Sequence, residues 1–265
     1  MSHFNQRISF DTVEGIRVGK IPNKINTTCI IYRINDLLID TGPTNQWKLV
    51  KKFIEEKELK KVLITHHHED HSGNGFNIKN DFISEIYASE KTIEKCKNGF
   101  KVEFYRRYAW GKPKTFEPIE MKENIEINSI ILNPIKTPGH SDDMTCYIEK
   151  NKGWLFTGDL LISSKPKYMR KDENPLEEME SIKELLKLDF ETVFCAHKGI
   201  VQNGKKALED KLNYLSEIKE NILELHNKGF SRKEISLKLF GKEDLLTILT
   251  YYNFSKINIV DAFLR

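Results

Sequence analysis

A cluster of histidine and acidic residues is the feature of this sequence that most clearly indicates chemistry. Four histidines and two acids occupy the six positions His66–His71. Imidazole and carboxylate groups both suit zinc and other first-row divalent cations. His66 and His68 are two residues apart, so on an extended segment they project to the same side, and Asp70 and His71 follow as ligands for a second ion. The cluster therefore predicts a metal site; the alternative is a histidine-rich surface loop that binds metal adventitiously.

Three more residues of the same kinds stand at the ends of predicted strands. His140 lies in the tight turn Thr137–Ser141, Asp159 follows an apolar run, and His197 follows the predicted strand Thr192–Ala196. Taken singly, each histidine is better explained by an ordinary hydrogen-bonding role. Because α/β sheets expose their sites at strand ends, the set taken together predicts that these residues converge.

The segments that must position these residues alternate between strands and helices. Short runs rich in β-branched and apolar residues predict strands, and Trp47, Val50, Phe53 and Ile54 recur at helical spacing. Strands are expected at Arg7–Phe10, Gly15–Val18, Thr28–Ile34, Leu37–Ile39, Lys61–Thr65, Ile130–Ile135, Met144–Glu149, Trp154–Thr157 and Thr192–Ala196, and helices at 45–57 and Glu177–Leu188. This interleaving predicts an α/β protein with helices covering a mixed sheet.

After about Gln202 the pattern becomes helical only. Leucine and isoleucine residues from Leu208 to Leu225 follow steps of three and four, and Ser231-Arg-Lys-Glu234 is typical of a capping-box helix start. We therefore expect a catalytic domain over residues 1–201 and a small helical subdomain over 202–265. The subdomain either packs on the sheet and shapes the pocket mouth, forms a homodimer interface, or binds nucleic acid. Its aromatic residues Tyr251, Tyr252, Phe254 and Phe263 are expected in the core, with the pocket wall as the alternative.

Composition limits the class of protein. The chain has 265 residues, 39% hydrophobic and 31% charged, with a net charge of only +3, so it is not basic overall, although a local basic groove stays open. No apolar run approaches the roughly 18 residues of a membrane span, and the first residues lack an apolar signal segment. Four well-separated cysteines fit reduced thiols. We expect a cytoplasmic protein without membrane association.

In chain order, the clustered residues resemble the signature of the metallo-β-lactamase fold superfamily. That signature is H-x-H-x-D-H, then H, D and H, and the upstream Asp-Thr-Gly turn of the family is matched at Asp40. The resemblance covers residues from about 25 to 200 and implies a four-layer αββα sandwich with the site at its edge. It also implies two divalent ions, with Asp40 orienting a ligand. The implied ligands are His66, His68 and His140 for one ion, Asp70, His71 and His197 for the other, and Asp159 as the bridge.

The resemblance also implies the reaction. Two divalent ions about 3.5–4 Å apart lower the pKa of a shared water toward ~7. The expected protein is a dinuclear hydrolase whose metal-bound hydroxide attacks an ester, thioester or lactone of a small-molecule substrate, with Asp70 as proton shuttle. Zinc is the expected metal, and manganese and iron accept the same ligands. The alternatives are a phosphodiesterase or ribonuclease with the same site, a mononuclear iron oxygenase, and a non-catalytic binding protein.

Within the superfamily, the layout resembles the β-lactamase-like endoribonuclease branch, which has a compact catalytic domain and a helical, winged-helix-like tail. The run Leu160–Arg170 lacks the Gly-Cys-Gly-Arg loop of glyoxalase II. This argues against the familiar glutathione-thioester specificity but leaves thioester hydrolysis open.

Two basic, aromatic segments are candidates for substrate contacts. In the segment 95–120, Arg106 and Arg107 stand among aromatic residues, which is typical of a lid over an anionic substrate or stacked bases. The alternative is a helix packed through its aromatic side chains with solvated charges outside. Tyr168, after the bridging Asp, is a candidate oxyanion donor, and a plain loop is the alternative.

Overall fold

Two facing β-sheets form the centre of the protein. The structure is a computed structural model and describes residues 4–20, 22, 27–121, 123–127 and 129–265. The first sheet is antiparallel over its first four strands and parallel from the fourth to the seventh. In spatial order its strands are β1 (Phe4–Phe10), β2 (Val13–Gly19), β3 (Thr28–Ile34), β4 (Leu37–Ile39), β5 (Lys61–Leu63), β6 (Glu85–Ala88) and β7 (Ile119–Glu120).

The second sheet has six strands, and two of them pair in parallel. Its strands are β8 (Ile125–Ile127), β9 (Ile130–Lys136), β10 (Thr145–Glu149), β11 (Trp154–Gly158), β13 (Thr192–Cys195) and β14 (Gly199–Val201), arranged in the order β14-β13-β11-β10-β9-β8. A third sheet of two strands joins the middle of the chain to its C-terminal part. It consists of β12 (Met169–Arg170) and β15 (Phe254–Ser255).

Helices cover the outer faces of both sheets. The helices are α1 (Trp47–Ile54), α2 (Gly75–Asp81), α3 (Glu90–Asn98), α4 (Phe104–Trp110), α5 (Pro175–Leu186), α6 (Gly204–Asn227), α7 (Arg232–Phe240), α8 (Leu245–Leu249) and α9 (Ile257–Phe263). Asn174 caps α5 ahead of Pro175, and the expected capping box of Ser231 and Glu234 starts α7.

Three apolar clusters show the layer order. Between the sheets, Phe194 stacks on Phe156 at 4.6 Å and meets Tyr32 edge-on at 5.5 Å. The outer face of the first sheet packs against α1, α2 and α3, with Phe53 fully buried. The outer face of the second sheet packs against α5, α6, α7 and α9, with Ile182 fully buried. The order is helix, sheet, sheet, helix, so the predicted αββα sandwich with a C-terminal helical region is confirmed.

The C-terminal helices share a core with the second sheet. Leu208 and Leu215 of α6 and Val260 of α9 belong to the same hydrophobic cluster as Leu155 and Val193 of the sheet. The boundary between residues 201 and 202 stays a prediction. The expectation of a buried core position is wrong for Tyr251 and Tyr252, which are 81% and 50% exposed. Both lie in the turn after α8, where the backbone has positive φ, and not on a helix face packed against the core.

The four cysteines are all buried, and none is joined to another by a disulfide. Among the described residues, no helix is both long and apolar enough to cross a bilayer.

Candidate metal centre

The candidate metal residues lie on loops that follow strands of both sheets. Parallel pairing of β4 with β5, and of β11 with β13, places the carboxyl ends of these strands at a common edge. The residues and the strands they follow are Asp40 after β4, His66–His71 after β5, His140 after β9, Asp159 after β11 and His197 after β13.

The first group of side chains is formed by His66, His68, His140 and Asp159. One potential ligand atom from each lies within 4.8 Å of the others, and all four residues are buried. Nε2 of His66 is 2.7 Å from Nδ1 of His68. Nε2 of His140 is 3.1 Å from Oδ2 of Asp159. Four donor atoms thus surround one small volume.

The second group is formed by Asp70, His71, His197 and again Asp159. Oδ1 of Asp159 lies 3.1 Å from Nε2 of His71 and 3.2 Å from Nε2 of His197. Oδ2 of Asp70 lies 3.2 Å from the same His197 nitrogen. Asp159 therefore turns one carboxylate oxygen to each group, which is the arrangement of a bridging ligand.

The donor atoms fit divalent cations better than they fit one another. Four of them are buried and make no hydrogen bond to any described residue, namely Oδ1 of Asp70, Nε2 of His71, Nε2 of His140 and Oδ1 of Asp159. Buried polar atoms without a partner are costly and rare in native proteins. Ligands at 2.0–2.1 Å from a tetrahedral ion are about 3.3 Å apart, close to the spacings observed here. The residues present therefore fit two divalent ions.

Asp40 orients His71. The Nδ1 atom of His71 is 2.7 Å from Oδ2 of Asp40, and the same carboxylate accepts hydrogen bonds from the backbone nitrogen and the hydroxyl of Thr65 at 2.8 and 2.9 Å. When Nδ1 of a histidine donates to a carboxylate, Nε2 keeps its lone pair for a metal. This is the orienting contact that the resemblance implies for Asp40.

The other two strand-end histidines are also oriented. Nδ1 of His197 donates to the carbonyl of Thr28 at 2.8 Å. Nδ1 of His140 is 3.3 Å from Oε1 of Glu173, and Arg170 donates to the backbone carbonyl of His140 at 3.0 Å. Arg170 also lies 3.5 Å from Glu173, so the pair holds both sides of His140.

Sequence reasoning missed the contacts of Glu173 and Arg170 with His140. No local pattern marks Glu173, because it stands in the loop before α5 and reaches His140 through the packing of α5 on the His140 turn. Gly139 has a φ of 144°, and a Cβ there would lie 2.4 Å from that of Glu178. Only glycine fits this approach, and it brings His140 to the start of α5.

Electrostatics divides the histidines into two classes. Burial, with His71 and Arg170 nearby, lowers the pKa values of His66 and His68 well below the usual range, so both are neutral and ready to bind a cation. Burial also disfavours the charged form of His71, His140 and His197. Neighbouring carboxylates, Asp159 most strongly, outweigh this effect of burial and raise the pKa values of these three histidines.

The carboxylates show the complementary shift. Burial alone would raise the pKa of Asp70, but His71, His197 and Arg106 lower it to about 2. The histidines around Asp159 hold its pKa well below the usual range in the same way. The carboxylates thus favour protons on these imidazoles, and a metal that binds there must displace those protons.

Arg106 is the predicted substrate residue that the structure brings to this centre. Its guanidinium lies 3.5 Å from Oδ1 of Asp70, and its Nε donates to the buried carboxylate of Glu69. Burial alone would lower the pKa of Arg106, but the two carboxylates raise it. Arg106 therefore supplies a fixed positive charge beside Asp70.

A cavity of about 730 Å³ opens from the centre to the surface. Asp70, His140, Asp159 and His197 line its inner end. Its walls are α4, the loop 162–170 and the region of α8 and β15. Two hydrogen bonds tie these walls together, from Tyr105 to Asn253 at 2.8 Å and from Tyr168 to Asp244.

The structure places the other two predicted substrate residues differently. The hydroxyl of Tyr168 is engaged by Asp244, which raises its pKa to about 12, and its ring stacks on Phe254. The ring lines the cavity wall, and this position does not support the expected role of oxyanion donor. Arg107 donates to the carbonyl of Val102 and lines a separate cavity of about 370 Å³ with Lys101, Lys112 and Lys114. It is not brought to the metal centre.

Comparison with known proteins agrees with this geometry. The sequence model described as "Metallo-beta-lactamase superfamily" matches residues 26–197. A hydroxyacylglutathione hydrolase of Legionella pneumophila (strain Corby) is 31% identical over 152 residues, which are 56% of this chain and 52% of that protein. An atrochrysone carboxyl ACP thioesterase of Passalora fulva is 22% identical over 232 residues, 83% of this chain and 63% of that protein. The matches thus span about half to two thirds of these curated relatives.

Solved structures show the same fold. A metallo-beta-lactamase family protein from Thermus thermophilus has a TM-score of 0.69 at 17% identity, covering 96% of this chain and 92% of its own. A beta-lactamase domain protein from Burkholderia ambifaria has a TM-score of 0.71 at 14% identity, covering 97% and 87%. In both cases the likeness extends through the C-terminal helices of this chain.

Proposed function

The chain belongs to the metallo-beta-lactamase superfamily, and from this membership we propose that it is a hydrolase that uses two divalent cations, zinc by preference, to cleave thioesters. The observation that carries the proposal is the pair of ligand groups that share Asp159 at the inner end of a deep cavity. Two relatives whose names state thioester substrates support the choice among esters, thioesters and lactones.

The ligand residues would hold the ions in two sets. His66, His68 and His140 would hold one, Asp70, His71 and His197 the other, with Asp159 between them. When bound, such ions lower the pKa of water and supply a nucleophile near neutral pH. In the reaction, the oxygen of water bonds to the acyl carbon, the C–S bond breaks, and the thiol leaves with a proton.

Asp70 is the residue we assign to proton transfer. It lines the cavity, and its Oδ1 accepts no hydrogen bond within the described part of the chain. Arg106 and His197 fix the two oxygens from either side, at 3.5 and 3.2 Å. A carboxylate held this way accepts a proton from the attacking water without rearrangement.

The nuclease alternative predicts a continuous positive groove leading to the metals. Instead, Arg106 is neutralised by acids, and four other cations of its segment, Lys101, Arg107, Lys112 and Lys114, line the separate 370 Å³ cavity. Along the main cavity, exposed cations without a carboxylate partner among the described residues are confined to Lys165 and Lys167 of one loop, which do not form a continuous positive groove. Nucleic-acid binding and a homodimer through the C-terminal helices stay predictions.

The test is thioester hydrolysis measured by release of free thiol, with S-acyl glutathione and acyl-CoA substrates. Chelation should abolish turnover, and Zn²⁺ or Mn²⁺ should restore it. Asp159→Ala should remove turnover, and Asp143→Asn, a buried carboxylate outside both ligand groups, should keep it. Chelated protein with undiminished activity, or turnover only of a phosphodiester such as bis(p-nitrophenyl) phosphate, would contradict the proposal.

A further inference from the structure

The cations that line the main cavity are unevenly compensated. Arg106 pairs with Glu69 and Asp70. Deeper in the protein, Lys211 and Glu178 form a buried ion pair at 2.6 Å. Together with the Arg170 pair described above, these contacts neutralise every cation on the inner wall.

Two lysines on the outer loop differ from the rest. Lys165 and Lys167 line the cavity, are exposed, and form no ion pair with any carboxylate in the part of the chain that the structure describes. They stand on the loop that follows Asp159 along the chain. The uncompensated positive charge of the cavity is therefore confined to its outer loop.

The wall between this loop and the metal centre is largely apolar. Ile162, Met169 and Trp110 line the inner part, and Leu246 and Leu249 of α8 continue the wall outward. Leu249 is 60% exposed and Leu246 is 38% exposed, which leaves apolar surface without a partner. Apolar surface of this kind beside a cavity is typical of a ligand-binding wall.

We propose that the substrate is an amphipathic acyl thioester, with an apolar acyl chain along the α8 wall and an anionic thiol carrier at Lys165 and Lys167. The inference rests on the proposed function, because the metal centre fixes where the thioester carbonyl lies. The positions of the charged and apolar surfaces then indicate where the carrier end and the acyl end of the substrate lie. Arg106, Arg170 and Lys211 already have carboxylate partners, so an anion gains most at the outer lysines.

The acyl chain is tested first, with binding that does not depend on turnover. Calorimetry of the non-hydrolysable thioethers S-methyl-CoA and S-decyl-CoA should show about 100-fold tighter binding of the decyl compound, which corresponds to burial of about three to four of its additional methylenes against the apolar wall. Leu249→Ser should reduce this ratio about threefold. Leu237→Ser, on the exposed face of α7 and outside the cavity, should leave it unchanged.

The carrier is tested with the two outer lysines replaced together. The double variant K165Q/K167Q should bind S-decyl-CoA about fivefold more weakly and should bind uncharged S-decyl-N-acetylcysteamine as the parent protein does. S-decylglutathione carries carboxylates where S-decyl-CoA carries phosphates, so comparing the two ligands distinguishes a carboxylate carrier from a phosphate carrier. The double variant should bind more weakly whichever ligand carries the anion that the loop recognises. The control K233Q/K238Q changes two exposed lysines of α7 that do not line the cavity.

The outcomes separate this inference from the proposed function. Tight, chain-length-dependent binding without hydrolysis would refute the proposed function and keep the amphipathic ligand. Hydrolysis of short and long acyl thioesters with equal KM, together with equal binding by the lysine variant and its control, would overturn the inference and keep the hydrolase.

Discussion

Replacing Asp40 with asparagine tests how the protein prepares His71 for a metal. Asp40 is buried, and its backbone has a φ of 64°, a conformation that asparagine also tolerates. The carboxylate accepts hydrogen bonds from Thr65 and from Nδ1 of His71. In the variant, an amide NH₂ that faces Nδ1 makes this nitrogen an acceptor. The proton then moves to Nε2, where it blocks the metal position.

The expected magnitude follows from the contact that is lost. A hydrogen bond to a charged group contributes about 1.5–3 kcal/mol, and about 1.4 kcal/mol corresponds to a factor of ten. Asp40→Asn should therefore lower the affinity of the Asp70, His71 and His197 group for its ion by about 10–100-fold, which is the usual effect of losing a hydrogen-bond partner of a metal ligand. The ion of the His66 group should keep its affinity.

The assay is competition with a chelating indicator, titrated to two equivalents of Zn²⁺, with the thermal midpoint measured on the same samples. Asp143→Asn is the matched control, because Asp143 is a buried carboxylate bonded to His67 at 2.8 Å and lies outside both ligand groups. Both variants should lose stability, and only Asp40→Asn should bind one of the two zinc ions more weakly. Equal loss of zinc in the two variants, or no loss in either, would refute the reasoning.

Single contacts of Glu173, Asp143 and Lys211 are each expected to have a measurable effect. Glu173→Ala should lower the affinity for the ion near His140 about tenfold, and Glu173→Gln should recover part of that affinity. The same competition with a chelating indicator measures both variants. Burial alone would raise the pKa of Asp143, but the hydrogen bond and charge of His67 lower it well below the usual range. The Asp143 carboxylate therefore stabilises the fold above its unfolded pKa of ~3.9, and this stabilisation is lost as the pH falls below that value. The free energy of unfolding, measured with denaturant, should depend less on pH in Asp143→Asn than in the parent protein between about pH 5 and 2. An equal pH dependence in the two proteins would contradict this prediction. Lys211→Met should destabilise the fold by about 3–5 kcal/mol in urea unfolding, since it leaves its buried carboxylate partner uncompensated.

The convergence of the candidate ligands could be predicted from sequence because its information is local. His66–His71 are consecutive, and His140, Asp159 and His197 each follow a short apolar run that marks a strand. The central strands could be predicted for the same reason, and β3 begins and ends where its pattern predicts. Strand β6 was missed, because Glu85-Ile-Tyr-Ala is short and its alternation is too brief to stand out.

The surroundings of the site depend on contacts between distant parts of the chain. The hydroxyl of Tyr168 donates a hydrogen bond to Asp244, 76 positions later in the chain. No local sequence pattern indicates this contact. Arg106 and Arg107 are adjacent in sequence, but successive side chains on a helix point about 100° apart, so the orientation of α4 decides which one reaches Asp70. Glu173 reaches His140 only because α5 packs on the turn at Gly139.

The number of metal ions per chain tests the central claim most directly. We would load the protein with zinc, remove the excess by gel filtration, and measure zinc and protein on the same sample by elemental analysis. The two ligand groups predict two ions per parent chain and fewer than one in Asp159→Ala, since both groups lose a ligand. One ion or fewer in the parent protein, or two ions retained in Asp159→Ala, would contradict the dinuclear centre.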